Sequence, residues 1–305
     1  MKIVFFGTPE FAVQSLDKII EAGFDVAAVV TSADKPSGRG LSVNMSDVKK
    51  YALEKGIDVL QPTNLKNPEF QKTLQNYGAD LFVIIAFRML PEAVWNMPKF
   101  GSINLHASLL PQYRGAAPIN HAIINGEKET GVTTFFLQHE IDTGDLIAQE
   151  KVIIEPTDNA GILHHKLKNV GAELMVKTLK MVAENSYQLT PQNFDKALKI
   201  APKLSKEYAR IEWKNSAENI QNKIRGLSPY PASWTTINAK QLKIFSSEII
   251  EQNSDLEIIT DKKKYLYKKC NDNYISLLEV QLEGKKRMLI EDFLRGWRED
   301  EMIII

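Results

Sequence analysis

The chain has 305 residues, of which 44% are hydrophobic and 25% charged, with 38 basic and 38 acidic side chains and a formal net charge of +0. That length and composition suit a soluble globular protein of one large or two smaller domains, with enough apolar residues for a sizeable core. Zero net charge excludes a global field that would draw the molecule onto nucleic acid or an acidic membrane, so any nucleic-acid contact must come from a local basic patch. The single cysteine, Cys270, excludes an intrachain disulfide and a thiolate metal cluster. The opening run Met1-Lys2-Ile3-Val4-Phe5-Phe6-Gly7 is too short for a secretory signal. No apolar run approaches the roughly 20 residues a membrane helix needs. A cytoplasmic protein without a membrane partner is the expectation.

In chain order, residues 2–6 form a short apolar run ending at Gly7. A helical pattern follows through Phe11, Val13, Leu16, Ile19 and Ile20, and a second apolar run occupies 26–30. Strand, helix and strand at this spacing predict a βαβ unit with parallel strands and a right-handed crossover. Unbroken apolar runs return at 81–85 and near Ile103, as expected of strands covered on both faces. The first half is therefore predicted to be α/β, a doubly wound Rossmann-like sheet. Between 31 and 46 the pattern stops: residues 32–40 are polar, basic and glycine-bearing, and Ser46 is placed to cap a helix around 48–53. A connection this long is more often functional than idle.

The amphipathic segment 160–183 is expected to close the first domain. Residues 185–206 lose clear periodicity and carry Pro191, Pro202, Lys196, Lys199, Lys203 and Lys206 against Asp195, which suggests a linker with a basic edge. A helical pattern then runs through Ala217, Ile220, Ile224 and Leu227. Short strand-like runs follow at 234–237, 242–245, 256–259, 274–280 and 287–290. Their close spacing suggests a small OB-like β-barrel, a common nucleic-acid platform. The expected division is a catalytic domain over 1–187, a linker over 188–206 and a C-terminal domain over 207–305.

Gly7-Thr8-Pro9-Glu10 sits where dinucleotide binders place glycines, but Pro9 and Glu10 stand in place of the later ones. Without those glycines the backbone cannot approach a pyrophosphate in the usual way, which argues against a nicotinamide cofactor. The histidines, His106, His121, His139, His164 and His165, show no metal-ligand spacing, so no metal is expected.

The informative stretch runs from 101 to 146. Asn104 and His106 lie two apart, so on an extended chain their side chains share a face near a strand's end. In an open α/β sheet, ligands bind at the carboxyl ends of the strands. Farther along, His139-Glu140-Ile141-Asp142-Thr143-Gly144-Asp145 reads as an acidic turn between runs at 132–137 and 146–154. Each feature alone has an ordinary structural explanation, a satisfied strand-end histidine or a plain turn. Pattern alone leaves an α/β enzyme of open chemistry.

Taken together, Asn104-Leu105-His106-Ala107-Ser108-Leu109-Leu110-Pro111, then Arg114-Gly115-Ala116-Ala117-Pro118, then Asp142-Thr143-Gly144-Asp145 resemble the core of the folate-dependent formyltransferases. Phe6-Gly7-Thr8-Pro9-Glu10-Phe11-Ala12 and the loop Pro36-Ser37-Gly38-Arg39-Gly40 resemble those members that formylate the amino group of initiator methionyl-tRNA. The resemblance continues in order through Lys203-Leu204-Ser205-Lys206, Ala209-Arg210-Ile211-Glu212-Trp213 and Pro229-Tyr230-Pro231-Ala232-Ser233-Trp234. One departure is Ala86-Phe87-Arg88, where much of the family has Ala-Tyr-Gly.

The resemblance implies a reduced folate, 10-formyltetrahydrofolate, as donor and initiator methionyl-tRNA as acceptor; a monomer is the default expectation. It implies Asn104, His106 and Asp142 as the catalytic set. Negative charge develops on the formyl oxygen, which Asn104 and a protonated His106 would offset. Asp142 would orient His106 and help remove a proton from the attacking ammonium. The folate pocket is expected from Ser108, Leu109, Leu110 and Pro111, with Phe87 and Leu90 near the pterin. Phosphate contacts to the tRNA are expected from Lys35, Arg39, Lys203 and Lys206, with Lys262, Lys263, Lys264, Lys268 and Lys269 as a basic face of the second domain. The alternatives are a related formyltransferase acting on an amino sugar or on glycinamide ribonucleotide, a hydrolase of the same folate, and a non-catalytic RNA-binding protein.

Overall fold

The computed structural model describes residues 1–37, 42–194, 197–298 and 302–305. In chain order its elements are β1 (Lys2–Gly7), α1 (Glu10–Glu21), β2 (Asp25–Val30), β3 (Lys35–Ser37), β4 (Ser42–Asn44), α2 (Asp47–Glu54), β5 (Asp58–Leu60), α3 (Pro68–Asn76) and β6 (Leu81–Ile85). Next come α4 (Glu92–Trp95), β7 (Ser102–His106), β8 (Arg114–Gly115), α5 (Pro118–Ile124), β9 (Glu129–Phe136), β10 (Leu146–Ile153) and α6 (Ala160–Ala183). The remainder is β11 (Ile200–Ala201), α7 (Ala217–Leu227), β12 (Ser233–Ile237), β13 (Lys240–Ile250), β14 (Ile258–Thr260), β15 (Leu266–Lys269), β16 (Tyr274–Leu282), β17 (Met288–Leu289) and α8 (Ile290–Gly296). No helix among the described residues is long and apolar enough to cross a membrane.

The chain divides into two compact units. The first comprises Met1–Gly115, Thr130–Ile153 and His164–Ile200. Its seven-stranded sheet has the order β10-β9-β7-β6-β1-β2-β5. Strands β5, β2, β1, β6 and β7 run parallel in sequence of neighbours, and β9 is antiparallel to β7. The continuous apolar runs that mark β1 and β6 are buried along nearly their whole length, which is why they do not alternate. The chain passes from β1 to β2 and β5 on one side, then returns to build β6 and β7 on the other. That reversal opens a crevice beyond the carboxyl ends of β1 and β6, the usual ligand position in a doubly wound sheet.

Gly7 closes β1 at that crevice. A Cβ there would come 2.8 Å from Ala12 Cβ and 3.2 Å from the Ile85 carbonyl oxygen, so close packing accounts for the glycine without a bound phosphate. Ser46 caps α2 as its position predicts, accepting from the Lys49 N–H at 3.1 Å. On α6, Gly171 lets the helix lie against the sheet, since a Cβ would meet Leu105 at 2.9 Å. Thr178 on the same helix shares a hydrogen bond with Thr134 at 2.8 Å, both fully buried.

The second unit comprises Ala116–Glu129, Ile154–Leu163 and Ala201–Ile305. Its antiparallel sheet has the order β12-β13-β16-β15-β14, with β17 paired to β16. No pairing joins β14 back to β12 among the described residues. Register shifts near Ser246 mark an irregularity that bends β13. The predicted apolar face of α7, with Ala217, Ile220, Ile224 and Leu227, is fully buried. Ile220 and Ile224 pack with Leu242, Ile244, Ile275 and Leu277 in the unit's core.

Two segments from earlier in the chain join this unit through α7. Gly226 allows α5 to approach closely, because a Cβ there would lie 2.5 Å from Ile124 Cγ1. Asn120 Nδ2 donates to the Gly226 carbonyl at 2.7 Å. Arg225 donates to the carbonyls of Glu155, Pro156 and Asp158 at 3.3, 3.0 and 2.8 Å.

Candidate active site

Asn104 and His106 project from the last part of β7, at the carboxyl end of the parallel sheet. The strand's register pairs Asn104 with Ile84 on one side and Phe135 on the other. The Asn104 side-chain amide has no hydrogen-bond partner among the described residues, which leaves its donors open to a ligand. His106 is buried. Its Nε2 lies 2.9 Å from the Tyr113 carbonyl oxygen. A carbonyl can only accept, so Nε2 carries the proton. Its other ring nitrogen, Nδ1, faces Asp142 Oδ2 at 3.9 Å. The same oxygen accepts from the Gly115 N–H at 3.1 Å.

Asp142 comes from the turn between β9 and β10, which places an acid beside a histidine far from it in sequence. Its backbone has φ 55°, in the left-handed region where a non-glycine residue needs support from its surroundings. Arg114 lies close by, with its guanidinium 4.2 Å from the Phe194 ring centroid. Burial lowers the Arg114 pKa from its ordinary value, while the charges of Asp142 and Glu140 act in the opposite direction.

The turn after His106 is held by a buried polar network. Ser108 Oγ donates to the Gln112 carbonyl at 2.6 Å, so its hydroxyl is spent within the turn. Thr133 Oγ1 donates to the Ser108 carbonyl at 2.6 Å and accepts from the Leu110 N–H at 3.1 Å. Gln149 Nε2 donates to the Leu110 carbonyl at 2.9 Å. Leu110 is buried against Phe135 and Leu146, whereas Leu109 and Pro111 are half-buried. Gly131 makes room for Leu109, since a Cβ there would meet Leu109 Cδ2 at 2.5 Å.

Beyond β6, Ala86 takes φ 49° and the loop turns outward. Phe87 is half-buried, edge-on to Phe6 with ring centroids 5.7 Å apart, and Leu90 is buried in the core beneath the loop. Arg88 does not point idly into solvent. Its Nη1 and Nη2 donate to the carbonyls of Thr63 at 3.0 Å and Pro62 at 2.5 Å. The arginine thus ties the 86–90 loop to the segment after β5, a job glycine could not do.

Of the basic residues expected to meet RNA, Lys35 has a described backbone in β3 only, and Arg39 lies outside the described residues. Lys203 and Lys206 are exposed in the second unit, with Lys206 Nζ 5.8 Å from the Trp234 ring centroid. The five lysines of the expected basic face divide. Lys268 is buried and paired with Glu257, and Lys269 donates to the Ser254 carbonyl at 3.1 Å. Lys262, Lys263 and Lys264 occupy the exposed β14–β15 turn.

Sequence reasoning missed Thr133, Gln149 and Gln192. Their side chains act by reaching across the fold, and no motif announces them. The nearest signal is that Thr133 and Gln149 are polar residues within or next to apolar runs; Gln192, between Pro191 and Asn193, has none.

Almost the whole length of the chain is matched in known proteins. The family model described as formyl transferase matches residues 1–179, and that described as formyl transferase, C-terminal domain, matches residues 203–298. A protein named methionyl-tRNA formyltransferase from Bacteroides thetaiotaomicron is 47% identical over 310 residues, covering 98% of this chain and 96% of that protein. One of the same name from Azobacteroides pseudotrichonymphae is 50% identical over 309 residues, covering 97% and 95%. The fold also matches the crystal structure of an N-formyltransferase from Helicobacter canadensis, with a TM-score of 0.68 at 22% identity over 94% of this chain and 100% of that one. With both domain models matched in order and relatives near half identity over nearly every residue, the chain belongs to the formyl transferase family.

Proposed function

We propose that this protein transfers a formyl group from 10-formyltetrahydrofolate to the amino group of the methionine carried by initiator tRNA, for translation initiation. The observation that carries this reading is its likeness, at 47% and 50% identity and nearly full length, to proteins named methionyl-tRNA formyltransferase. Asn104, His106 and Asp142 come from a single chain, in keeping with a monomer. A substrate made for translation places the reaction in the cytoplasm.

The reduced folate is a substrate here and brings the activated formyl group. The crevice fits it in kind. Phe87 stands edge-on to Phe6 beside the sheet's end, and Leu109 and Pro111, in the turn after β7, are half-buried. Asn104 is placed to donate its unpaired amide N–H to the formyl oxygen as negative charge collects there. In its cationic form His106 adds a positive charge next to that oxygen, with Tyr113 holding one ring nitrogen. Asp142 holds the other side of the ring and can accept the proton that the attacking ammonium must lose, directly or through water. As the methionine nitrogen bonds to the formyl carbon, the bond from that carbon to N10 of the folate breaks and N10 takes up a proton, so tetrahydrofolate leaves and no group of the protein needs to bond the formyl carbon.

Lys203, Lys206 and Arg39 would supply phosphate contacts to the tRNA. The amino-sugar alternative rests on likeness at 22% identity to an enzyme crystallised with folinic acid and dTDP-3-aminofucose, which speaks for the fold alone. The deciding experiment incubates the purified chain with 10-formyltetrahydrofolate and either charged initiator tRNA or a nucleotide-linked amino sugar. Formylmethionyl-tRNA is the expected product. Formylation of the sugar with the tRNA left untouched would overturn the proposal.

A further inference from the structure

We infer that Gln192 and Arg114 are positioning residues that set Asp142 against His106, so that a segment lying between the two family domains belongs to the catalytic apparatus. This rests on the reading of Asp142 given above. Gln192 is 7% exposed, in a stretch without regular structure. Its Nε2 donates to two carbonyls of the catalytic turn, that of Asp142 at 2.9 Å and that of Gly144 at 2.8 Å. Its Oε1 accepts from Arg114 Nη2 at 2.7 Å. One carboxamide therefore has both its functional ends occupied, and both donor hydrogens are given to the turn.

That turn needs a clamp. Asp142 stands at φ 55°, a conformation that persists in a non-glycine residue only when its surroundings over-determine it. Gly144 has no room for a side chain, since a Cβ would lie 1.7 Å from the Phe136 carbonyl oxygen. The turn is thus pressed onto the end of β9 on one side and hung from Gln192 on the other. Arg114 completes the brace. It is stacked on Phe194, two residues beyond Gln192, and its neighbour Gly115 donates to Asp142 Oδ2 at 3.1 Å. The 114–115 and 192–194 segments therefore grip the Asp142 turn by its carboxylate and its backbone together. The His106 Nδ1 to Asp142 Oδ2 separation, 3.9 Å, is the distance this brace sets.

A residue that only supports the fold and a residue that acts through Asp142 differ in a double-mutant cycle. Gln192→Ala is expected to lower kcat by about 10- to 100-fold, the cost of a small displacement of a catalytic group. KM for the folate and for methionyl-tRNA should stay within about twofold, because neither is bound by Gln192. Placed on top of Asp142→Ala, the same change should cost less than about twofold more, since the group it aims is already gone. The His106 ring resonances in NMR should shift in Gln192→Ala without any substrate present. Arg114→Lys, which keeps the charge but not the planar stacking or the hydrogen-bond geometry, provides the test if Gln192→Ala does not fold. It should repeat the kcat loss and the vanishing effect in the Asp142→Ala background. Wild-type turnover in a folded Gln192→Ala protein, or an equal loss with and without Asp142, overturns the inference. If instead Asp142→Ala itself retains wild-type turnover, the reading of Asp142 fails, and the two failures are told apart by that single control.

Discussion

At the scale of single residues, the proposed site draws on two groups from one strand and one group from a distant turn. Asn104 and His106 share a face of β7 by the simple alternation of an extended chain. That much is legible from their spacing. Asp142 is different, because its approach to His106 depends on the antiparallel return of β9 and on a left-handed backbone at the turn. Asn104→Ala and His106→Ala are each expected to fold normally and lose about 10²–10³ in turnover, the usual cost of removing one preorganised donor. Steady-state rates alongside circular dichroism check this, and a near-normal rate in either folded variant removes that residue from the catalytic set. The support beneath these groups was not legible. Thr133 and Gln149 satisfy the backbone of the turn after His106 from neighbouring strands, and a polar residue inside a strand carries no sign of which distant carbonyl it meets.

At the scale of elements, unbroken apolar runs and clean helical periodicity were the legible parts. The segments predicted near 81–85 and 160–183 are β6 and α6, and the periodic residues of 217–227 are the buried face of α7. Strand β15 had no such signal. Its core includes Lys268, which is buried against Glu257, so a charge stands where a strand pattern calls for an apolar residue. Arg225 is the clearest case of an element anchored by one side chain. It serves three carbonyls of the 155–158 segment and also donates to Asn222 Oδ1 at 2.9 Å. Arg225→Ala would strand those acceptors, and a loss of about 2–3 kcal/mol is expected for hydrogen bonds to a charged group. Urea unfolding of the full-length protein measures it. A midpoint equal to that of wild type would mean that water replaces the guanidinium at no cost.

At the scale of the whole molecule, charge and titration govern what the fold can meet and withstand. With no net charge, attraction of RNA must be local. Removing both Lys203 and Lys206 to alanine should raise KM for tRNA, leave KM for the folate unchanged, and make the salt dependence of tRNA binding shallower by about one to two in the log–log slope. An unchanged slope would place the phosphate contacts elsewhere. Acid sensitivity follows from one buried and one half-buried histidine. Burial lowers the pKa of His121, although its hydrogen bond to the Pro202 carbonyl acts the other way, and burial likewise lowers that of His164. A folded-state pKa below the unfolded one means the unfolded chain binds more protons. The stabilisation is then complete above the unfolded value, about 6.5, and is lost as pH falls toward the folded value. Tm should therefore drop between about pH 7 and 5, and His121→Gln should flatten part of that slope.

By itself the sequence determined the α/β class, the candidate residues for the reacting centre and the motifs that mark the family. All three depend on local order along the chain: periodicity, spacing and contiguous signatures. Only the tertiary structure decided that 116–129 and 154–163 belong to the second unit, that Lys268 is buried, and that Gln192 bonds the carbonyls of the Asp142 turn. Those depend on pairings between residues far apart in the chain. A buried donor selects its acceptor by position in space, and one-dimensional order does not encode that choice where no periodic pattern repeats it.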